Sequence, residues 1–147
     1  MQKEYLILTD APTFKALQHS YFVSEQVTFE ARYSNVEREI RDFLYNHWKD
    51  FQEIHLYKKA TLVGLDYLFG LKVENNDFTD VRAAFGQTLV ILNTNIPKTK
   101  LGDSEKNLVW MEKENWENKI CTLELIVVKI KKPVKVVEGS LEDFLND

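Results

Sequence analysis

Three groups of residues in this chain have types and spacings that suit chemistry. Arg41 and His47 join a permanent cation to an imidazole, with five residues between them. The segment Trp110-Met-Glu-Lys-Glu-Asn-Trp116, if extended, puts Trp110, Glu112, Glu114 and Trp116 on one face. Paired carboxylates beside tryptophans suit a sugar or a cationic ligand, or shared proton transfer. The stretch 95–107 lacks periodicity of its own and holds Lys98, Lys100 and Lys106, which suit phosphate or an acidic partner. Lys129, Lys131, Lys132 and Lys135 extend that cationic set near the end of the last long strand, a possible route to nucleic acid.

The Arg41-to-His47 spacing is similar to the Arg-to-His signature of the HEPN ribonucleases, over seven residues. The resemblance implies a metal-independent ribonuclease in which Arg41 and His47 handle the scissile phosphate and the 2′-hydroxyl. HEPN domains are all-helical, whereas this chain past residue 53 reads mostly as strand. On a helix the two side chains stand about 120° apart, with His47 in the apolar arc and Arg41 outside it. Glu37, one turn before Arg41, gives that arginine a structural partner.

The elements that must position these residues follow from hydrophobic period. Val27, Phe29, Ala31 and Tyr33 alternate with Thr28, Glu30 and Arg32, the pattern of a half-buried strand. Ser34 with Glu37 has capping-box spacing, and Val36, Ile40, Phe43, Leu44, Trp48 and Phe51 then fall on one helical arc. Tyr5 to Thr9 reads as a strand, and Asp10 with Pro12 opens a helix carrying Phe14, Leu17, Tyr21 and Phe22. Odd positions from Thr61 to Val73 are apolar or threonine, an over-long strand with a bend at Gly64 or Gly70. Asp77 or Thr79 caps a short helix ending at Gly86. Strands are expected at 54–58, 88–94, 108–112 and 120–130, the last two joined by a turn in 113–119. The run Leu123 to Ile130 is apolar on both faces, as a central strand requires.

These elements predict an α+β fold: one domain over 1–147, with a mixed or mainly antiparallel sheet. Two main helices, about 12–24 and 35–51, pack mostly on one face. The length of 147 residues suits one domain, and eleven of the eighteen aromatics lie in the first 57 residues, where much of the core is expected.

Charge narrows the partners. Nine basic against ten acidic side chains in residues 1–73, and ten against thirteen in 74–147, leave no global attraction for nucleic acid or membrane. No eighteen-residue apolar run is present to span a bilayer. A single cysteine, Cys121, forms no internal disulfide and lies in phase with Leu123 and Leu125, as a buried small hydrophobe would. With no signal-peptide pattern at the amino terminus, the chain reads as cytoplasmic. The five scattered glycines make no phosphate loop, and His19, His47 and His55 lack metal-ligand spacing, so no cofactor and no metal are expected.

The expectation is a non-catalytic intracellular binding protein of inhibitor, immunity or regulatory type. It would meet a protein partner through a surface including loop 95–107, with Lys98, Lys100, Lys106, Trp110 and Trp116 as binding residues. The alternative is a small enzyme acting on nucleic acid or a nucleotide through Arg41 and His47.

Overall fold

A computed structural model of the chain describes residues 4–11, 28–98 and 108–131. The helix expected at 12–24 lies outside them. Five strands form one mixed sheet in the order β2-β5-β4-β1-β3: β1 (Tyr5–Thr9), β2 (Thr28–Ser34), β3 (Phe51–His55), β4 (Gln87–Asn95) and β5 (Thr122–Lys131). β1 runs parallel to β3 and β4, while β5 is antiparallel to β4 and β2, so β5 alone opposes the other four. Three helices are α1 (Glu37–His47), α2 (Lys59–Phe69) and the short α3 (Lys113–Glu117). The fold class is α+β, as the sequence led us to expect.

Alternation sorts the central strands onto two apolar faces. Leu8, Val90, Leu92, Leu123 and Leu125 pack with Ile40 and Leu44 of α1, Leu65 and Phe69 of α2, and Trp116 of α3. Ile7, Leu89, Ile91, Val128 and Ile130 pack on the other side with Val81 and Ala83 from the segment before β4. Thus all three described helices lie on one face, and β5 is covered on both.

The structure corrects several local expectations. Residues 61–73 are not a strand: α2 occupies most of them, burying Thr61, Leu65 and Phe69 at four-residue intervals. The stretch is apolar on most sides, so it satisfies a period of two and of 3.6 alike, and its length decides for helix. Gly70 closes α2 at φ 66°, its N–H donating to Asp66 O and that of Leu71 to Leu65 O. Leu108–Met111 is a 3-10 turn, and 113–117 is helix rather than hairpin turn. Burying Trp116 drives this: the turn brings Trp110 O to Trp116 Nε1 at 2.8 Å, and Asn115 Nδ2 donates to Val109 O. No helix forms between Asp77 and Gly86; Asp77 Oδ1 instead accepts from Thr79 N and Oγ1 in a local turn. The Ser34 cap is also displaced. Val36 precedes α1, and Ser34 Oγ accepts from Val36 N while donating to Glu39 at 2.6 Å. A 3-10 turn, Trp48–Asp50, replaces the last turn expected of this helix. Ala31 and Tyr33 are exposed, because β2 is an edge strand paired with β5 alone.

Candidate functional site

β1, β3 and β4 end at the same edge of the sheet, and the crevice outside such carboxyl ends is where open sheets with parallel strands commonly bind ligands. Asp10, just past β1, is buried, and its carboxylate accepts from Tyr57 N at 2.8 Å and Lys58 N at 2.9 Å. It fixes the turn from β3 into α2. Tyr57 Oη donates to Thr79 O at 2.7 Å and accepts from Val81 N at 3.0 Å, and burial pushes its phenol above the usual range. Lys58 and Lys59 are thereby held at the start of α2, whose first amides have no earlier helical carbonyl to meet.

These residues form one wall of a groove of about 850 Å³. The end of β4 and its continuation, Thr94 to Lys98, form a second wall, and Trp110 and Ile120 a third. Asn95 is held by donating to Glu124 Oε1 at 2.8 Å, a bond that keeps the Glu124 carboxyl below its ordinary range. Among the described residues, the lining has three lysines, Lys58, Lys59 and Lys98, and no acid, histidine or cysteine. Lys113, Lys119, Lys129 and Lys131 each reach a glutamate, whereas those three, like Lys49 and Lys72 elsewhere, enter no ion pair among the described residues.

β4 also outruns its neighbour. The β1 ladder stops at Thr9 opposite Ile91, where the chain bends and Ala11 N donates to Thr9 Oγ1, but the β5 ladder continues to Asn95 opposite Thr122. Among the described residues no strand lies beside Asn93–Asn95 on the β1 side. The vacant edge is about 10 Å long at 3.3 Å per residue.

The residues proposed from sequence separate. Lys98 and Trp110 meet on this groove, while Lys100 and Lys106 lie outside the described residues. Trp116 is completely buried against α2, so it offers a ligand no surface. Glu112 and Glu114 are exposed on the turn and first residues of α3 rather than aligned along a strand. Lys129 pairs with Glu4 at 3.7 Å and Lys131 with Glu30 at 2.5 Å. Both sit toward the end of β5 far from Thr122, so they do not extend the cationic wall, and Lys132 and Lys135 lie outside the described residues. Arg41 is exposed, with Asp42 at 3.5 Å. His47 is not a core residue: its side chain is 40% exposed at the end of α1, with its ring 4.6 Å from that of Phe43 and Nδ1 3.9 Å from Asp50.

A second polar cluster is centred on the buried His55. His55 Nε2 lies 2.8 Å from Glu53 Oε1 and Nδ1 lies 3.0 Å from Thr79 O, while Tyr5 Oη donates to Glu53 Oε2. The Glu53 hydrogen bond pushes the Tyr5 phenol up. With the His55 side chain 3% exposed, these groups fasten the 77–79 turn to β3. Among the described residues no three His, Cys, Asp or Glu side chains are grouped to hold a metal ion, and no helix is long and apolar enough to cross a membrane.

No family model matches the chain, and no curated protein does. Solved structures similar in fold include B116 of Sulfolobus turreted icosahedral virus, 13% identical, with a TM-score of 0.50 over 85% of this chain and 98% of that one. At that identity the likeness is of architecture alone.

Lys58, Lys59 and Tyr57 were not among the sequence candidates, and Asn95 entered only as the first residue of the 95–107 stretch. The signal was present as two adjacent lysines after an extended run, but it acquires meaning only once α2 is known to start at Lys59.

Proposed function

We propose that this protein is a non-catalytic binding protein whose ligand enters the groove bounded by Lys58, Lys59, Lys98 and Trp110. The observation that carries the reading is that three lysines without carboxylate partners share a cavity with a tryptophan and two isoleucines. Elsewhere among the described residues, Lys113, Lys119, Lys129 and Lys131 are matched by glutamates, while Lys49 and Lys72 stand singly and apart from any such cavity. Unneutralised cations around a concave, partly apolar lining suit a partner that supplies both negative charge and apolar surface. An inhibitor, immunity or regulatory role uses such a surface without turnover.

The test is capture from the native host with wild-type protein and with a Lys58→Glu/Lys98→Glu variant, whose two substituted side chains are exposed. A ligand retained by the first, lost from the second and recovered chemically unchanged supports the reading. Equal retention, or conversion of the ligand during incubation, refutes it; conversion abolished by His47→Ala would favour the enzyme built on Arg41 and His47.

A further inference from the structure

The groove has a shape as well as a charge. One wall contains Thr94 and Asn95, from the length of β4, Asn93 to Asn95, that among the described residues has no strand on its β1 side. The opposite wall is the start of α2 with Lys58 and Lys59, and beyond β4 the chain continues through Ile96 and Pro97 to Lys98. Trp110 is half-buried and Ile120 exposed along the same lining.

We infer that the occupant is an extended acidic segment of a partner protein, which adds to the sheet alongside Asn93–Asn95. The inference rests on the binding function proposed above and names the partner's chemistry. Main-chain hydrogen bonds to a vacant strand edge supply sequence-independent affinity, and alternate side chains then point to opposite sides. The start of α2 and the apolar residues Ile96 and Trp110 lie on the same, helix-covered face. Side chains of the segment on that face therefore bring carboxylates to Lys58, Lys59 and Lys98 and apolar groups to Ile96, Trp110 and Ile120. Dispersed lysine ammoniums suit several separate carboxylates, whereas a single phosphate cluster is better gripped by the convergent amides of a glycine-rich loop or by arginine forks. Among the described residues, the lining contains neither arginine nor glycine.

The probe is an immobilised library of random peptides about eight residues long, a length that covers the vacant edge with flanks. The expected selection combines Asp or Glu with apolar residues. Affinity should fall at least about tenfold in Lys58→Glu/Lys98→Glu, and by a similar factor when a central peptide amide is N-methylated or its Glu residues become Gln. Circular dichroism establishes that the variant is folded. No selected peptide, or selected peptides indifferent to amide methylation, overturns the inference. If instead a single-stranded oligonucleotide or tripolyphosphate binds wild type and is lost by the variant while no peptide is selected, the groove keeps its binding role and the peptide fails. Selected peptides that bind wild type and variant equally sink both readings.

Discussion

Gly64→Ala is the substitution in α2 whose effect the structure determines most sharply. On an exposed helix this exchange stabilises, since glycine costs about 1 kcal/mol relative to alanine. Here an added Cβ would stand 2.7 Å from Cη2, 2.8 Å from Cζ3 and 3.1 Å from Cζ2 of Trp116. Relief requires α2 and the indole to separate by most of an ångström. The ring cannot slide freely, because it is completely buried and its Nε1 is tied to Trp110 O. Overpacking of a dense core costs about 1–3 kcal/mol, and straining the buried indole bond adds about 1 kcal/mol. Against the helix gain, the net expectation is a loss of about 2 kcal/mol, or roughly 5 °C in Tm for a chain of this size. Urea unfolding followed by far-ultraviolet circular dichroism measures it. The decisive control is Trp116→Phe, whose shorter ring leaves the space that the new methyl needs. In that background Gly64→Ala should cost at least about 1 kcal/mol less, a coupling within the range found for residues in contact. A wild-type-background Gly64→Ala that gains stability, or costs the same with Phe at 116, would refute the packing argument.

Asp10→Ala removes the acceptor of two amides at the turn into α2 and should lower stability by roughly 2–3 kcal/mol, the scale of bonds to a charged group; Asp10→Asn should lose less, because one oxygen remains. Denaturant melts of the two variants check that order, and peptide or ligand affinity should fall with them because Lys58 is no longer held. The Tyr57 phenol titrates higher in the folded protein than its ordinary value near 10. Above that pH the unfolded chain sheds the proton more readily, so the contribution is complete below pH 10 and is lost as pH rises through the folded value. Tyr57→Phe should therefore flatten the decline of stability measured between about pH 9 and 11, even though it lowers stability throughout by removing the bonds to Thr79 and Val81.

Particular elements show how much the sequence disclosed. β4 and β5 were legible because uninterrupted runs such as Leu89 to Leu92 and Leu123 to Ile130 can be satisfied only by burial on both sheet faces. The mixed sheet and its one-sided helices followed from those runs and from the amphipathic arc of α1. Residues 59–69 misled because Thr61, Leu65 and Phe69 fit both periods, and the misreading had a functional consequence: with α2 hidden, Lys58 and Lys59 had no recognisable place. Trp116 was mistaken for a contact residue for a related reason. Its neighbours Lys113, Glu114, Glu117 and Asn118 are polar, and nothing local announces that a glycine 52 positions earlier leaves a slot for an indole. Lys98 and Trp110 were identified by residue type, but only the fold places them on one cavity.

The location of that cavity follows from unequal strand lengths. β1 has five residues and β4 has nine, and their ladder begins in step, Tyr5 opposite Gln87. The surplus must project at the carboxyl end, where β5 supports it on one side from Leu125 to Thr122. On the other side the chain leaving β1 does not continue along it: Asp10 is drawn instead to the amides of Tyr57 and Lys58. One carboxylate thus ends the short strand and positions the cationic start of α2, while among the described residues the end of the longer strand has no neighbour on that side. A vacant ladder is costly to leave exposed in a protein that must avoid indiscriminate edge pairing. Lysines beside an edge guard it against indiscriminate pairing, and the extended acidic partner inferred above is the occupant whose carboxylates would neutralise that guard.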